Sequence, residues 1–416
     1  LQASNDLKKK NNASIFKKVN AFLHLWLGLI SGLVVFVVAI TGCLFSFQKE
    51  ISESLHRDQF FVSVPQNAKA LSITKLQSIA NHALKGNASF ITTFSDPARS
   101  WEFMEYQPGN KNAFWFFGTI KSYQSAFVNP YTGDVLGVKD YKKDFFVIVK
   151  YLHWSLLLNN KYGQPIVGYA TLIFVLLMIS GLILWWPKNL KKSSLDKSFK
   201  IKWKASFKRV NYDLHNVLGF YALFIGIFLG LTGMVFAMKW FETTVYVIAN
   251  LSATPPKFVS ATSDSTRQSL NNPLDIAFYT AKNSMPKADR IGLSLAAGTK
   301  GVIYASGYRG KETFYDYDQL QFDQYTGKLL NRQNYQDKNN GEKIIAMNYD
   351  IHVGAIKGLP GKILAFLASL ICASLPITGF IIWLNKKKKA ESKAQRLRKD
   401  VQNLIDADER DASFQH

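Results

Sequence analysis

Residues 211–238 read NYDLHNVLGFYALFIGIFLGLTGMVFAM. From Leu214 to Met238 the run holds no charged residue, and it exceeds the roughly 20 apolar residues that cross a hydrocarbon core. Reading it as a membrane helix decides the class of the whole fold. Two residues interrupt the pattern, His215 at its mouth and Gly233 near its far end. A lone histidine at a water–lipid boundary needs no explanation beyond a hydrogen bond. This one has counterparts.

Three more stretches have spanning length: 21–47, 166–186 and 361–384. With 416 residues, 48% of them hydrophobic, the chain can supply both a membrane phase and water-exposed domains. The first span is too long for a signal-peptide core and lacks a small-residue cleavage site, so it reads as a retained helix. The formal net charge is +22. Its Lys and Arg gather in three segments, 1–20, 187–213 and 385–416, all on one side of a four-span chain. Such runs flanking membrane helices mark the cytoplasmic face and do not point to nucleic acid. Both termini are thus expected in the cytoplasm. Segments 48–151 and 239–350 are expected outside, with short interfacial pieces at 152–165 and 351–360.

Each outer segment has the pattern of a small α+β domain. In the first, SITKLQSIANHAL (72–84) has helical spacing and SWEFMEYQPGNKNAFWFFGTI (100–120) reads as strands around a turn. In the second, NPLDIAFYTAKNSM (272–285) is the helix and GVIYASGYRGKETFYDYDQLQF (301–322) the strands, with SATSDSTRQS (260–269) as a loop. The two cysteines, Cys43 and Cys372, each fall inside a span, so no disulfide framework exists in the outer domains. They read as buried apolar residues.

The halves match in order. NAFLHLWLGLISG…AITGCLFSF answers NYDLHNVLGFYAL…GLTGMVFAM; VNPYTGDVLG answers FDQYTGKLLN; YLHWSLLL…ISGLILWWPK answers YDIHVGAI…ITGFIIWLNK. This is a duplicated helix–domain–helix unit with parallel halves. It aligns His24 with His215 at the cytoplasmic mouths of spans one and three, and His153 with His352 just before spans two and four. Eighteen residues, five turns or about 27 Å of helix, separate His24 from Gly42 and His215 from Gly233. Each glycine so lies at the level of the other histidine pair, where a missing side chain admits a bulky group. Gly181 and Gly379 mirror this in spans two and four, and Gly28 and Gly219 clear space one turn after their histidines.

Neutral imidazoles facing each other across a bundle can take both axial positions of a haem. Two pairs at two depths would hold two b-type haems, non-covalently, since no C-x-x-C-H occurs. A zinc or copper site is the rival, but acidic or thiol residues to complete a ligand set are scarce. Asp213 and Asp350, two residues before His215 and His352, read as capping or supporting groups.

The strand at 128–137, VNPYTGDVLG, with its echo at 322–330, resembles the signature of PepSY domains. With the LHxxLG and ITGxxxW helices, the chain resembles the PepSY-associated transmembrane family from about Phe16 to Lys389. Its best-understood members are ferrisiderophore reductases of the bacterial inner membrane. The resemblance implies a mainly α integral membrane protein with four spans in two parallel repeats and two periplasmic PepSY-like domains. It implies His24, His153, His215 and His352 as haem-iron ligands, and electron transfer from a cytoplasmic or membrane donor to a periplasmic ferric siderophore or other ferric chelate. Many members place an arginine after the first histidine; here Leu25 follows His24 and Trp154 follows His153. Lys17, Lys18, Lys208 and Arg209 are the nearby alternatives for a haem propionate.

No nucleotide or flavin fingerprint appears, so the donor is expected to be a reductase protein or a quinol. Trp101, Tyr106, Trp115 and Tyr131 alternate as core strand aromatics do, and no substrate residue is assigned. One competing reading is a non-redox periplasmic binding or regulatory protein. The other is a metal-ion transporter, which would place ionisable groups at the midplane rather than at the edges. Pro376 should bend span four, and Trp185, Trp186 and Trp383 form an aromatic belt.

Overall fold

The computed structural model describes residues 2–67, 69–187, 189, 191–252, 260–269 and 271–413. Leu1, Lys188, Leu190 and 414–416 of the basic segments lie outside the described residues, as do the side chains before Ile15. Four helices are long and apolar enough to cross a membrane: Ile15–Ser46, Asn160–Trp185, Phe207–Ala237 and Ala355–Asn403. The first belongs to helix α1 (Gln2–Ser46) and the last to a helix that continues to Ser413.

The chain forms two compact units. One gathers Leu1–Phe36, Ile173–Ile227 and Leu370–His416; the other gathers Val37–Leu172 and Phe228–Ser369. The second unit carries all the strands. In chain order it holds helix α2 (Ile73–Leu84), strands β1 (Phe90–Phe94), β2 (Trp101–Pro108), β3 (Ile120–Val128) and β4 (Val135–Asp140), and helix α3 (Phe145–Ser155). Helix α4 (Asn160–Trp185) and helix α5 (Phe207–Ala237) follow. Next come α6 (Pro273–Ser284), β5 (Arg290–Ser294), β6 (Val302–Tyr308), β7 (Tyr317–Asp323), β8 (Leu329–Gln333), α7 (Asn340–His352) and α8 (Gly358–Ser413).

The two segments expected to be separate α+β domains share one antiparallel sheet, ordered β4-β3-β2-β1-β5-β6-β7-β8. The seam is β1 against β5, from Phe90↔Ser294 to Phe94↔Arg290. A four-stranded sheet standing alone would expose β1 or β5 as an unpaired edge, and pairing them removes both liabilities. Alternation sets the core. Trp101 and Phe103 of β2 point one way, with Ile91, Leu293 and Phe322, and meet Leu76 and Ala80 of α2 and Ala277 and Ala281 of α6. Ser72 and Asn272 cap these helices with side-chain acceptors. Phe322 is fully buried; Phe322→Ala should cost roughly 3–5 kcal/mol, read as an earlier thermal loss of β-sheet signal by circular dichroism.

One strand expectation differs from the structure. The strand expected through Phe116 is a loop with a helical turn at Phe116–Thr119, and β3 starts only at Ile120. Phe116 is buried beside Ile120 and Val147, so its apolarity serves a satellite core. The helix that carries span two starts at Asn160, upstream of Ile166, because buried Asn159 accepts from Lys161 N at 3.0 Å and donates to Lys111 O and Ala113 O. That cap fixes the start upstream and leaves Pro165 inside the helix. Helix α8 runs through Pro376, whose Cβ packs against Gly32. Ser374 and Thr378 donate to carbonyls at Ile371 and Ser374 around the proline.

Candidate functional site

Each unit brings one histidine pair together. In the first, the His24 and His215 ring centres lie 6.4 Å apart with perpendicular planes. In the second, His153 and His352 lie 6.0 Å apart at 59°. Two metal–imidazole bonds of about 2 Å, plus the half-width of each ring, add to roughly 6 Å between ring centres. Both pairs therefore have the separation of two imidazoles on opposite sides of one metal ion. Among the described residues no group of three or more His, Cys, Asp or Glu could hold a metal. Each pair would offer a metal two ligands, so a metal held there would need a group that brings its remaining donors with it.

The second ring nitrogen fixes the chemistry of the first. His215 Nδ1 meets Thr378 Oγ1 at 2.9 Å and His352 Nδ1 meets Thr232 Oγ1 at 2.9 Å. His153 Nδ1 meets Val38 O at 2.8 Å and Thr41 Oγ1 at 3.3 Å, and His24 Nδ1 meets Ser180 Oγ at 3.2 Å. The hydroxyl protons are committed elsewhere. Thr41, Thr232 and Thr378 donate to Val37, Phe228 and Ser374 carbonyls, and Ser180 donates to Asn20 Oδ1. Each hydroxyl can thus only accept from the imidazole, so every Nδ1 carries the proton and every Nε2 presents a lone pair. Burial pushes His153 down and His352 down to about 3, which keeps both rings in the neutral, ligating form at neutral pH.

Glycines make the docking possible. A Cβ at Gly42, Gly181, Gly233 or Gly379 would lie 3.3, 3.4, 3.4 and 3.2 Å from Cε1 of His153, His24, His352 and His215 respectively. What these four glycines clear is the histidine ring. Each follows the Ser or Thr that receives Nδ1, so a Ser/Thr-Gly step on one helix seats a histidine of another. Asparagine completes the seat three times. Asn20, Asn211 and Asn348 each stand four residues before a histidine, and their Nδ2 groups donate to the carbonyls of Ser180, Thr378 and Thr232. Val149 holds that position before His153. The Asn-x-x-x-His spacing is legible in the sequence, but the residue it reaches is set by tertiary packing. His215 also sits in a π-helical turn, Leu214–Leu218, an irregularity that recurs at functional sites.

A cavity of about 440 Å³ surrounds the His24–His215 pair, within the range of a cofactor site. Gly28, Gly32 and Gly219 line it, and Cβ atoms at Gly28 and Gly219 would meet only Leu177 and Leu375, at 3.9 and 3.5 Å. Trp185 stacks on Phe220 along its wall at 4.1 Å. Lys17, Lys18, Lys208 and Arg209 are not among its lining residues; Lys386 is. Arg209 instead pairs with Asp213 at 2.8 Å, and Asp213 also accepts from Lys202 N. Asp350 accepts from Phe314 N at 3.1 Å. Both aspartates brace backbone near the histidines, as capping groups do. Trp101 is core, packed on Phe278, and Tyr131 donates to Pro97 O. Cys43 and Cys372 are buried thiols.

A family model described as the PepSY-associated TM region matches residues 21–386. No curated protein matches the chain.

Proposed function

The chain belongs to the PepSY-associated TM family, and from that premise we propose a di-haem b membrane oxidoreductase that passes electrons across the bacterial inner membrane to a ferric siderophore or similar ferric chelate. The reading includes the duplicated architecture, with two PepSY-like segments building one periplasmic sheet and both termini in the cytoplasm. One observation carries it: two histidine pairs, each at axial-ligand separation, each with Nδ1 tied down and Nε2 free.

A bound haem supplies a one-electron couple that no side chain of this protein can provide. The chain's own residues do the rest. His24, His215, His153 and His352 offer Nε2 lone pairs in a fixed tautomer, and the hydroxyls and Val38 carbonyl that accept from Nδ1 raise ligand basicity. The Ser/Thr-Gly steps hold each ring against a helix backbone, so ligation costs little reorganisation. Trp185, Phe220 and Leu375 give the cavity around the first pair a largely apolar wall. In the net reaction each ferric ion takes one electron and leaves as ferrous ion, whose weaker hold on hard oxygen ligands frees it from the chelate.

Two tests arise here. Dithionite-reduced protein, freed of reductant and mixed anaerobically with a ferric hydroxamate, should return to its oxidised spectrum while a ferrous chelator traps one Fe(II) per electron lost. A reduced spectrum that persists, with no ferrous ion trapped, would point to a binding role for the sheet. Thr232→Val keeps the shape near His352 but removes the hydroxyl acceptor. Loss of such a supporting hydrogen bond typically weakens metal-group binding about 10–100-fold, measured as faster haem transfer to an apo-globin acceptor.

A further inference from the structure

Some shielded lysines in the sheet-bearing unit are paired with carboxylates, while buried Lys338 has no hydrogen-bond partner among the described residues and lies over the Tyr317 ring at 3.6 Å. Lys362 bridges Glu50 at 2.7 Å and Glu312 at 2.6 Å, and Lys139 pairs with Asp144 at 2.7 Å. Lys150 also lacks a carboxylate partner. It stands on α3, three residues before His153 and so on the same helix face, and burial pushes its ammonium down from the usual lysine value. Among the described residues no carboxylate pairs with it, and its nearest named contact is the Tyr151 ring at 5.1 Å. Lys386 is its counterpart in the first unit. Four lysines run from Lys386 to Lys389, yet only Lys386 lines the cavity around His24 and His215, where it is the sole charged lining residue. It too has no acidic partner among the described residues.

For the half-buried Lys150 an ammonium without a counter-ion is a cost unless an anion arrives with the ligand; Lys386 is exposed and so available to an anion, and it is the one charged side chain on the cavity wall. We propose that Lys386 anchors a carboxylate of the tetrapyrrole held by His24 and His215, and that Lys150 does the same at His153 and His352. This rests on the haem reading and adds to it the ligand's acidic edge. Haem b carries two propionates that are anionic at neutral pH, and an ammonium binds such groups as a point charge. The assignment also orients each group: the acidic edge at the first pair faces the start of the basic tail.

The test uses the full chain in detergent with native haem, then with haem whose propionates are methyl esters. A propionate anion favours the oxidised, more positive iron, and an ammonium that neutralises it offsets this, so removing the lysine unmasks the anion and lowers the midpoint potential. Lys386→Met should lower the potential of the His24–His215 couple by about tenfold in its reduction equilibrium, or 59 mV for one electron, and leave the other couple unmoved. Lys150→Met should do the reverse. Each couple is assigned in a His352→Ala or His215→Ala background. Lys→Arg at either position should restore the potential, which separates charge loss from misfolding. With the diester haem, wild type and Met variants should coincide. Unmoved potentials with native haem, or shifts that survive esterification, would overturn the anchors while leaving haem binding intact. A wild-type protein without two b-type haems would instead remove the premise.

Discussion

His352→Ala should leave one low-spin haem per chain instead of two, and His153→Ala should remove the same one. His24→Ala and His215→Ala should each remove the other. The four single variants must therefore sort into two spectral classes, not four, because the rings pair at 6.0 and 6.4 Å across each site. Loss of one axial imidazole leaves a five-coordinate group that either dissociates or turns high-spin, both visible in the Soret and α bands. His56 and His82 fall outside the paired set, and His82→Ala should change neither band. Four independent spectra, or a fifth histidine with the same effect, would contradict the pairing.

The glycine seats give the second large effect. At Gly379 an added Cβ already lies 3.2 Å from His215 Cε1, closer than nearly all relaxed contacts of this kind, and a leucine adds three more carbons into the ring's place. Gly379→Leu should therefore displace His215 and abolish haem at the His24–His215 pair while the other haem remains. Gly233→Leu should do the converse through His352, where the same distance is 3.4 Å. Gly292→Ala on β5, which lines no histidine pair, is the control: its Cβ would meet only Tyr308 Cε2 at 3.8 Å, so the haem content should hold. A Gly379→Leu protein with both haems intact would mean that His215 does not dock as described.

The sequence carried some of this plainly and hid the rest for physical reasons. Long uncharged runs such as 214–238 are legible because hydrocarbon leaves the backbone few choices. The helices at 73–84 and 273–284 are legible because periodicity and a capping Ser72 or Asn272 agree. The single sheet was not, since nothing local in Phe90–Phe94 or Arg290–Ser294 says which strand from 200 residues away will pair with it. Phe116 misled because an apolar run looks the same in a strand and in a buried turn. At the site, the helical spacing of His24 and Gly42 suggested that the glycine cleared space for a ligand. In the folded chain Gly42 receives the ring of His153 and Gly181 that of His24. Ser180, Thr41, Thr232 and Thr378 gave a faint signal as the residues preceding those glycines, but a hydroxyl next to a glycine is common in membrane helices. Lys150 and Lys386 carried no signal, because an unpaired charge is visible only once its neighbours are known.

The most direct measurement is the visible spectrum of detergent-purified protein, oxidised and dithionite-reduced, with haem counted per chain by pyridine haemochrome. The account predicts two low-spin b-type haems. A protein that stays colourless after expression with ample haem would contradict it, leaving the paired histidines as helix-packing contacts and the sheet as the functional part of the molecule.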